Sequence, residues 1–333
     1  MNKSSNTLNE LFDFFSNDIK IIDDIIIENC DAKSPLIKEM SQHIIQSGGK
    51  RIRPILVMLS NLIVSNQKSD KLYNLCAAVE LIHTATLLHD DVIDNSFLRR
   101  GDETANAIWD NKASILVGDF LFSLSFQLMV TTNSIKILET LSSASNTIAD
   151  GEVNQLQHSS NIDITVEKYL EIIEGKTAAL FAASCSSGAI LGNASDEQIS
   201  KLHEIGNNIG ILFQITDDLM DYGFAKLSNG KNIGDDFYES KITLPIILTL
   251  QKANDADREA IEELFYNSSQ SEAGEKDLEK LLEIVNKYDG VMQSKKMASE
   301  YHEKSLAEIS TFDNSTYTDY LSAIVNNISQ RAI

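Results

Sequence analysis

Two short runs of aspartate are the residues best suited to chemistry. The first closes the stretch Glu80-Leu-Ile-His-Thr-Ala-Thr-Leu-Leu-His-Asp-Asp-Val-Ile-Asp94. Good helix formers lead into it, and in a helix residues four apart stack on one face. Asp90 and Asp94 therefore point the same way, with Asp91 about 100° round the wheel. Stacked carboxylates repel each other, and a hard cation removes that cost. Magnesium takes oxygen ligands, typically one or two carboxylates plus substrate phosphates. The second run, Phe213-Gln-Ile-Thr-Asp-Asp-Leu-Met-Asp221, repeats the spacing. Asp217 and Asp221 again sit four apart, with Asp218 beside the first. One such run among 49 acids would read as a solvated patch. Two in the same register, each set in Leu, Ile, Val or Met, read as a pair of metal-binding motifs.

Cations stand where a phosphorylated substrate would need them. Lys50-Arg-Ile-Arg-Pro54 follows Gly48-Gly49, so turn amides and three cations make a cradle for a diphosphate. Arg99 and Arg100 come just after Asp94, and arginine forks grip phosphate oxygens bidentately. Metal on one side and guanidinium on the other suits a diphosphate ester. Lys176 follows Gly175, a kink position in an apolar segment, where a lone lysine by itself is more often a snorkelling surface residue. Lys231 and Lys241 belong to or follow the Gly- and Asn-rich stretch 223–236, a loop able to close over a ligand. His83 lies seven residues before Asp90, about 20° away on the wheel, and faces the same cavity. Glu80 and His83 form a single Glu-x-x-His pair, whereas a di-iron bundle needs two.

These residues need long helices to position them. The chain has 333 residues with only 3 Pro and 15 Gly, and apolar residues recur at helical spacing. That pattern predicts an all-α protein. Helices are expected over 11–30, from Pro35 to the Gly48-Gly49 break, over about 70–94, 111–130 and 134–158, and around 165–190. Ser195 to Gln198 has a capping-box pattern that opens the second acidic helix. Residues 1–10 are polar and expected to fray, and shorter amphipathic helices follow residue 255. No linker separates domains. The net charge of −21 argues against a nucleic-acid partner or an anionic membrane surface. Cys30, Cys76 and Cys185 form no CxxC and read as buried thiols of a reducing compartment. No signal peptide is recognised, and no 18-residue apolar stretch lacks charge, so no membrane span is expected.

Taken together, Gly-Gly-Lys-Arg-Ile-Arg-Pro54, the first acidic run with Arg-Arg-Gly behind it, and Asp-Asp-Leu-Met-Asp221 resemble the signature regions of trans-polyprenyl diphosphate synthases. Val117-Gly-Asp-Phe120, Gly151-Glu-Val-Asn-Gln-Leu156, Lys176-Thr177 and Gly230-Lys-Asn-Ile-Gly-Asp-Asp236 extend the likeness over roughly residues 45–250. Within the family the chain most resembles bacterial octaprenyl diphosphate synthases that make the ubiquinone side chain. The resemblance implies one domain over 1–333, an isoprenoid synthase-type bundle of long antiparallel helices around a central cavity, working as a cytoplasmic homodimer. It implies three magnesium ions, with Asp90 and Asp94 ligating two and Asp217 the third, while Asp91, Asp218 and Asp221 support them directly or through water. Arg99, Lys176, Thr177, Gln214 and Lys231 would hold the allylic diphosphate, with Lys241 nearby. Lys50, Arg53, His83 and Arg100 would hold isopentenyl diphosphate. The family often ends in several basic residues that fold over the site; here only Arg331 could serve.

Chain length is expected to depend on Ala85 and Thr86, because the family places its main length-limiting residues there. Both are small, so the product tunnel should stay open past them, with a floor among Phe122, Phe126 and Met129. A long product follows, with octaprenyl diphosphate the single best choice. A shorter-chain farnesyl or geranylgeranyl synthase, a class I terpene cyclase and a non-catalytic subunit of a heteromeric synthase are the alternatives. Cyclases usually carry a different second metal motif and lack the basic cradle. A non-catalytic subunit should have lost acids or cations, and none is missing.

Overall fold

The computed structural model describes residues 3–46, 48–99, 101–223 and 233–331. Helices dominate it. In chain order they are α1 (Lys3–Asn29), α2 (Pro35–Gln46), α3 (Ile52–Ser65), α4 (Asp70–Ile93), α5 (Ala105–Trp109), α6 (Asn111–Thr131), α7 (Ile135–Gln157), α8 (Val166–Ile173), α9 (Ala179–Leu191) and α10 (Asp196–Met220). Then come α11 (Asp235–Tyr238), α12 (Leu244–Leu250), α13 (Asp255–Ser269), α14 (Glu275–Lys287), α15 (Gly290–Ile309) and α16 (Thr316–Gln330). A π-helical turn, Glu174–Ala178, joins α8 to α9, and a small antiparallel hairpin pairs β1 (Leu98–Arg99) with β2 (Asp102–Glu103). The all-α expectation is met. The chain forms two compact units: Met1–Asn146 with Ala179–Asn207 and Ala307–Ile324, and Thr147–Ala178 with Asn208–Leu306 and Val325–Ile333.

The first unit is built on α4. It packs against α6 and α3, and α3 packs against α9. The stripe Leu81, Ile82, Ala85 and Leu88 on α4 is buried, as are Val117, Leu121, Leu124 and Leu128 on α6. Each fully buried aliphatic side chain contributes about 1.5–3 kcal/mol. Close approach of α9 to α3 requires Gly188, where a Cβ would stand 2.2 Å from the Val57 carbonyl oxygen. On α1, Leu11, Phe15, Ile22 and Ile26 repeat at helical spacing and are all buried. That helix begins at Lys3 rather than at residue 11, so residues 3–10 are helical where their polar composition suggested fraying.

Helix α6 is long and apolar enough to cross a membrane by length and composition, and half of that stretch is buried inside the fold. It holds Asp119, and its buried face includes Ser114, Gly118 and Ser125 beside the leucines, a surface shaped for close helix packing.

In the second unit, α10 buries Ile209, Leu212, Ile215 and Leu219, and α12 is buried along its whole length. Helix α12 packs against α8 and α14, while α13 packs against α11 and α14. Phe237 of α11 meets Phe265 of α13 edge to face with centroids 5.4 Å apart. The N-terminal part of α10 belongs to the first unit, and there the capping box at Ser195 forms as expected: Gln198 N–H donates to the Ser195 hydroxyl at 3.2 Å, and Ser195 N–H donates to the Gln198 side chain at 3.0 Å.

Candidate active site

The first acidic set sits on the last turn of α4, with Asp94 at its C-cap. Helix C-termini carry partial negative charge, so three carboxylates there are unfavourable without a cation. The turn is locked by its neighbours. Asn106 donates from Nδ2 to the Ser96 oxygen (3.1 Å) and the Asp91 oxygen (3.3 Å), and the Thr104 hydroxyl donates to the Ser96 oxygen at 2.8 Å. These bonds satisfy carbonyls near the end of the helix.

The three acids differ in exposure. Asp90 and Asp94 are half-exposed, whereas Asp91 is buried. One Asp91 oxygen accepts from both Nε (3.0 Å) and Nη2 (2.7 Å) of Arg99. The hairpin of β1 and β2, which the sequence reading did not anticipate, carries Arg99 back to that carboxylate. A cavity of about 70 Å³ lies beside the pair, lined by Gly48, Thr84, Leu88, Asp91, Arg99 and others. It has room for a few water molecules. The imidazole of His89, next to Asp90, is seated by α6: its Nε2 lies 3.2 Å from the Ile115 oxygen and 3.5 Å from an Asp119 oxygen. A Cβ at Gly118 would stand 2.4 Å from that nitrogen, which gives the glycine of Val117-Gly-Asp-Phe120 a physical reason.

The basic cradle divides its cations. Arg51 turns inward at a left-handed φ of 48° and enters α3 as its N-cap. Its guanidinium donates to Asp23 (3.1 Å), Glu80 (2.9 Å) and the Ile45 oxygen (3.1 Å), which holds the strained turn. Lys50 is exposed in the loop. Arg53 places its guanidinium carbon 4.5 Å from the centroid of the Phe181 ring, and its Nε is buried without a hydrogen-bond partner. Burial lowers its pKa to about 10, opposed by the charge of Glu80. A buried arginine donor lacking an acceptor is what an incoming anion would satisfy. His83 is half-buried, with its carbonyl accepting from the Thr86 hydroxyl at 2.8 Å; Ala85 is buried. Phe122 and Phe126 stack edge to face, half-buried, and Met129 is fully buried.

The second acidic set lies at the C-terminus of α10, with Asp221 just beyond it. Exposure divides this set too: Asp217 is half-exposed, and Asp218 and Asp221 are buried. Asp218 accepts from the Tyr169 hydroxyl at 2.5 Å on one oxygen and from Gln214 Nε2 at 2.8 Å on the other. Gln214 Oε1 in turn accepts from the Thr177 hydroxyl at 2.8 Å. Asp221 accepts from the backbone N–H groups of Asp235 (2.9 Å) and Asp236 (3.2 Å). Gly234 N–H donates to the Asp221 carbonyl at 3.0 Å, so Asp221 anchors the start of α11.

Lys176 and Thr177 stand on the π-helical turn, a distortion common at functional sites. The expected kink at Gly175 is this turn. Gly151 and Gly175 let it lie against α7, because a Cβ at Gly151 would come within 2.5 Å of the Lys176 nitrogen. The next residues on α7 hold the lysine: Lys176 Nζ donates to Glu152 (3.0 Å) and Gln155 (2.7 Å). Lys241 pairs with Glu239 at 2.6 Å. Arg100 and Lys231 lie outside the described residues. Among the described residues, no group of three or more His, Cys, Asp or Glu gathers closely enough to hold a metal ion by protein ligands alone. Half-exposed carboxylates at helix C-termini nevertheless fit a hard cation that completes its shell with phosphate oxygens and water.

Sequence reasoning missed Tyr169 and the hairpin, read Arg51 as one of three cradle cations where it braces the turn, and gave Asp119 no role of its own. Tyr169 precedes Lys176 by seven residues on an amphipathic helix, and nothing in the chain marks Asp218, 49 positions away, as its partner.

An all-α chain with two such acidic sets, a basic cradle and a lysine on a distorted turn belongs with enzymes that act on prenyl diphosphates. Residues 34–285 match the family model described as Polyprenyl synthetase, and the chain belongs to that family. It is a prenyltransferase that elongates isoprenoid chains. It is 35% identical to the octaprenyl diphosphate synthase of Escherichia coli (strain K12), covering 97% of this chain and 99% of that protein. It is 38% identical to the all-trans-nonaprenyl-diphosphate synthase (geranyl-diphosphate specific) of Rhodobacter capsulatus, covering 91% and 92%. The crystal structure of polyprenyl synthase from Caulobacter crescentus CB15 complexed with calcium and isoprenyl diphosphate superimposes with a TM-score of 0.91 at 36% identity, covering 98% of both chains. Other relatives are named for heptaprenyl and geranylgeranyl products.

Proposed function

We propose that this chain is a long-chain trans-polyprenyl diphosphate synthase with octaprenyl diphosphate as product, acting as one catalytic domain in the cytoplasm. It joins isopentenyl diphosphate to an allylic diphosphate such as farnesyl diphosphate, and its product supplies the ubiquinone side chain. The carrying observation is the burial pattern of each acidic set, in which Asp91, Asp218 and Asp221 are buried and Asp90, Asp94 and Asp217 are half-exposed near a helix C-terminus. Asp90, Asp94 and Asp217, the half-exposed members, would hold three magnesium ions together with diphosphate oxygens. When bound, magnesium supplies Lewis-acid stabilisation of the departing diphosphate. The calcium and isoprenyl diphosphate bound by the Caulobacter protein support this reading.

The chain's own residues do the rest. Arg99, Lys176, Gln214, Lys231 and Lys241, with Thr177 beside them bonded to Gln214, serve the allylic diphosphate, and the cations and amide take up its charge as the carbon–oxygen bond breaks. Glu152 and Gln155 aim Lys176. Lys50, Arg53, His83 and Arg100 hold isopentenyl diphosphate with its double bond about 3–3.5 Å from the allylic carbon. A carbon–carbon bond forms there, a proton is lost, and the chain is five carbons longer; the released diphosphate is the proton acceptor. Water must be kept from the cation, and the apolar flanks of the acids, Leu88 before Asp90 and Ile215 and Leu219 around Asp217, meet that need. Ala85 and Thr86 are small enough for a long chain to pass. Homodimer formation has support in the apolar side chains that α6 leaves exposed, Ile115, Leu116 and Val130. Sedimentation of the purified protein tests that part. The reaction is tested by incubating the purified chain with labelled isopentenyl diphosphate and farnesyl diphosphate and sizing the products by mass spectrometry. Products near eight isoprene units support the proposal, and geranylgeranyl diphosphate as end product overturns its chain length.

A further inference from the structure

The hydrogen-bonded chain from Tyr169 to Thr177 runs in one chemical direction. An ionised carboxylate only accepts hydrogen bonds. The Asp218 oxygen 2.8 Å from Gln214 therefore fixes the amide with its NH₂ toward Asp218 and its Oε1 toward Thr177. That Oε1 also only accepts, so the single hydroxyl proton of Thr177 is committed to Gln214. Thr177 is left without a proton for a phosphate oxygen, while the amide nitrogen of Gln214 keeps a second one. Tyr169 closes the other end. Its phenol is buried, and burial together with the neighbouring Asp218 carboxylate pushes its pKa well above the ordinary tyrosine value, so it stays a donor. Asp218 is itself only 3% exposed, and each of its oxygens already accepts a hydrogen bond.

We infer that Tyr169 and Asp218 are positioning residues, which orient Gln214 so that its second amide N–H, rather than the Thr177 hydroxyl, donates to the allylic diphosphate. Asp218 acts through these hydrogen bonds rather than as a direct ligand of magnesium. The inference rests on the reading that the second unit's cations and amide serve that diphosphate.

Two variants separate positioning from bulk structure. Tyr169→Phe removes one donor to Asp218 and leaves the packing of the ring. Asp218→Asn/Gln214→Glu exchanges the groups: the new amide still accepts from Tyr169 and donates to the new carboxylate, which still accepts from Thr177. Every bond of the chain survives the exchange, but position 214 no longer carries an N–H. Calorimetric titration with farnesyl diphosphate in magnesium, together with melting temperature, reads both. Tyr169→Phe is expected to bind about tenfold more weakly, with the KM for isopentenyl diphosphate within about twofold of wild type. The double exchange is expected to melt within a few degrees of wild type yet to bind at least about thirtyfold more weakly. Wild-type affinity in the double exchange, or unchanged affinity in Tyr169→Phe, overturns the inference. Should Tyr169→Phe fail to fold, the double exchange decides alone. A wild type that does not bind farnesyl diphosphate overturns the proposed function itself, an outcome distinct from binding that the variants leave unaltered.

Discussion

Arg53→Met should make the protein more stable and a worse enzyme. Arg53 stands on the first turn of α3 with its Nε buried and unpartnered, and its guanidinium lies over Phe181. Burial lowers its pKa from the ordinary arginine value to about 10. At about 1.4 kcal/mol per pH unit, this is on the order of 3 kcal/mol held against the fold. Residual exposure and the lost contact with the aromatic face reduce the net gain. Methionine keeps most of the stem and drops the charge, so about 1–2 kcal/mol of stabilisation is expected without substrate. For a chain of this size that corresponds to a rise of about 1–3 °C in Tm. The sign with pH follows from the lowered folded-state value. Above a pH of about 10 and up to the ordinary arginine value the unfolded chain binds more protons than the folded one, so the penalty is relieved only as pH rises above about 10. From about pH 6 to 9 arginine is charged in both states, and the advantage of the variant should stay flat. The same variant loses the anion contact, so the KM for isopentenyl diphosphate should rise about 10–100-fold, with the allylic KM within about twofold. Thermal melts across pH and steady-state kinetics with each substrate varied are the assays. A variant less stable than wild type, with both KM values unchanged, would show that Arg53 is a structural cation and refute the reasoning.

The other predictions concern the acids, the glycines and the tunnel. Asp90→Ala and Asp217→Ala should each cut turnover by several orders of magnitude, while circular dichroism and magnesium-free melting stay near wild type, because these carboxylates are half-exposed at helix C-termini. Asp91→Ala should lower stability by about 1–2 kcal/mol, because it removes the buried acceptor of two charge-assisted bonds from Arg99, whose own exposed guanidinium can turn to water; denaturant melts check this. Gly151→Ala should cost about 1–3 kcal/mol and raise the allylic KM, because the new methyl must displace the backbone at Lys176. Ala85→Phe should shift the main product to about three or four isoprene units without abolishing condensation, as reverse-phase chromatography of dephosphorylated products would show.

Local periodicity made most of the fold legible. Pro35, the Gly48-Gly49 break, the Ser195 capping box and the apolar stripes of α4, α6 and α10 all lie where their chemistry placed them, because helix signals are local. The acids and cations were legible as residue types at a spacing. Which carboxylate faces solvent was not, since Asp91 and Asp94 look alike in the chain, and it takes the return of the hairpin to give Asp91 its Arg99 partner. Long-range pairings were equally hidden. Tyr169 with Asp218, Gly151 with the turn at Lys176, and Gly118 with His89 depend on packing between elements far apart in sequence. The basic run Lys50-Arg-Ile-Arg-Pro54 read as three equivalent cations, yet Arg51 is spent on Asp23 and Glu80. No pattern in the run distinguishes Arg51, which braces the turn, from Arg53, whose Nε is buried without an acceptor. The early start of α1 has the same origin, since the helix extends on the strength of packing at Leu11 and Phe15 rather than the propensity of its first turns.

Magnesium-dependent chain elongation is measured by turnover of the purified chain alone, supplied with radiolabelled isopentenyl diphosphate and farnesyl diphosphate, with magnesium and with magnesium removed by chelation. A ladder of linear prenyl diphosphates that ends near eight units and disappears on chelation is expected. Incorporation that survives full removal of divalent metal, cyclic hydrocarbon in place of linear diphosphate, or no incorporation without a second polypeptide would contradict it.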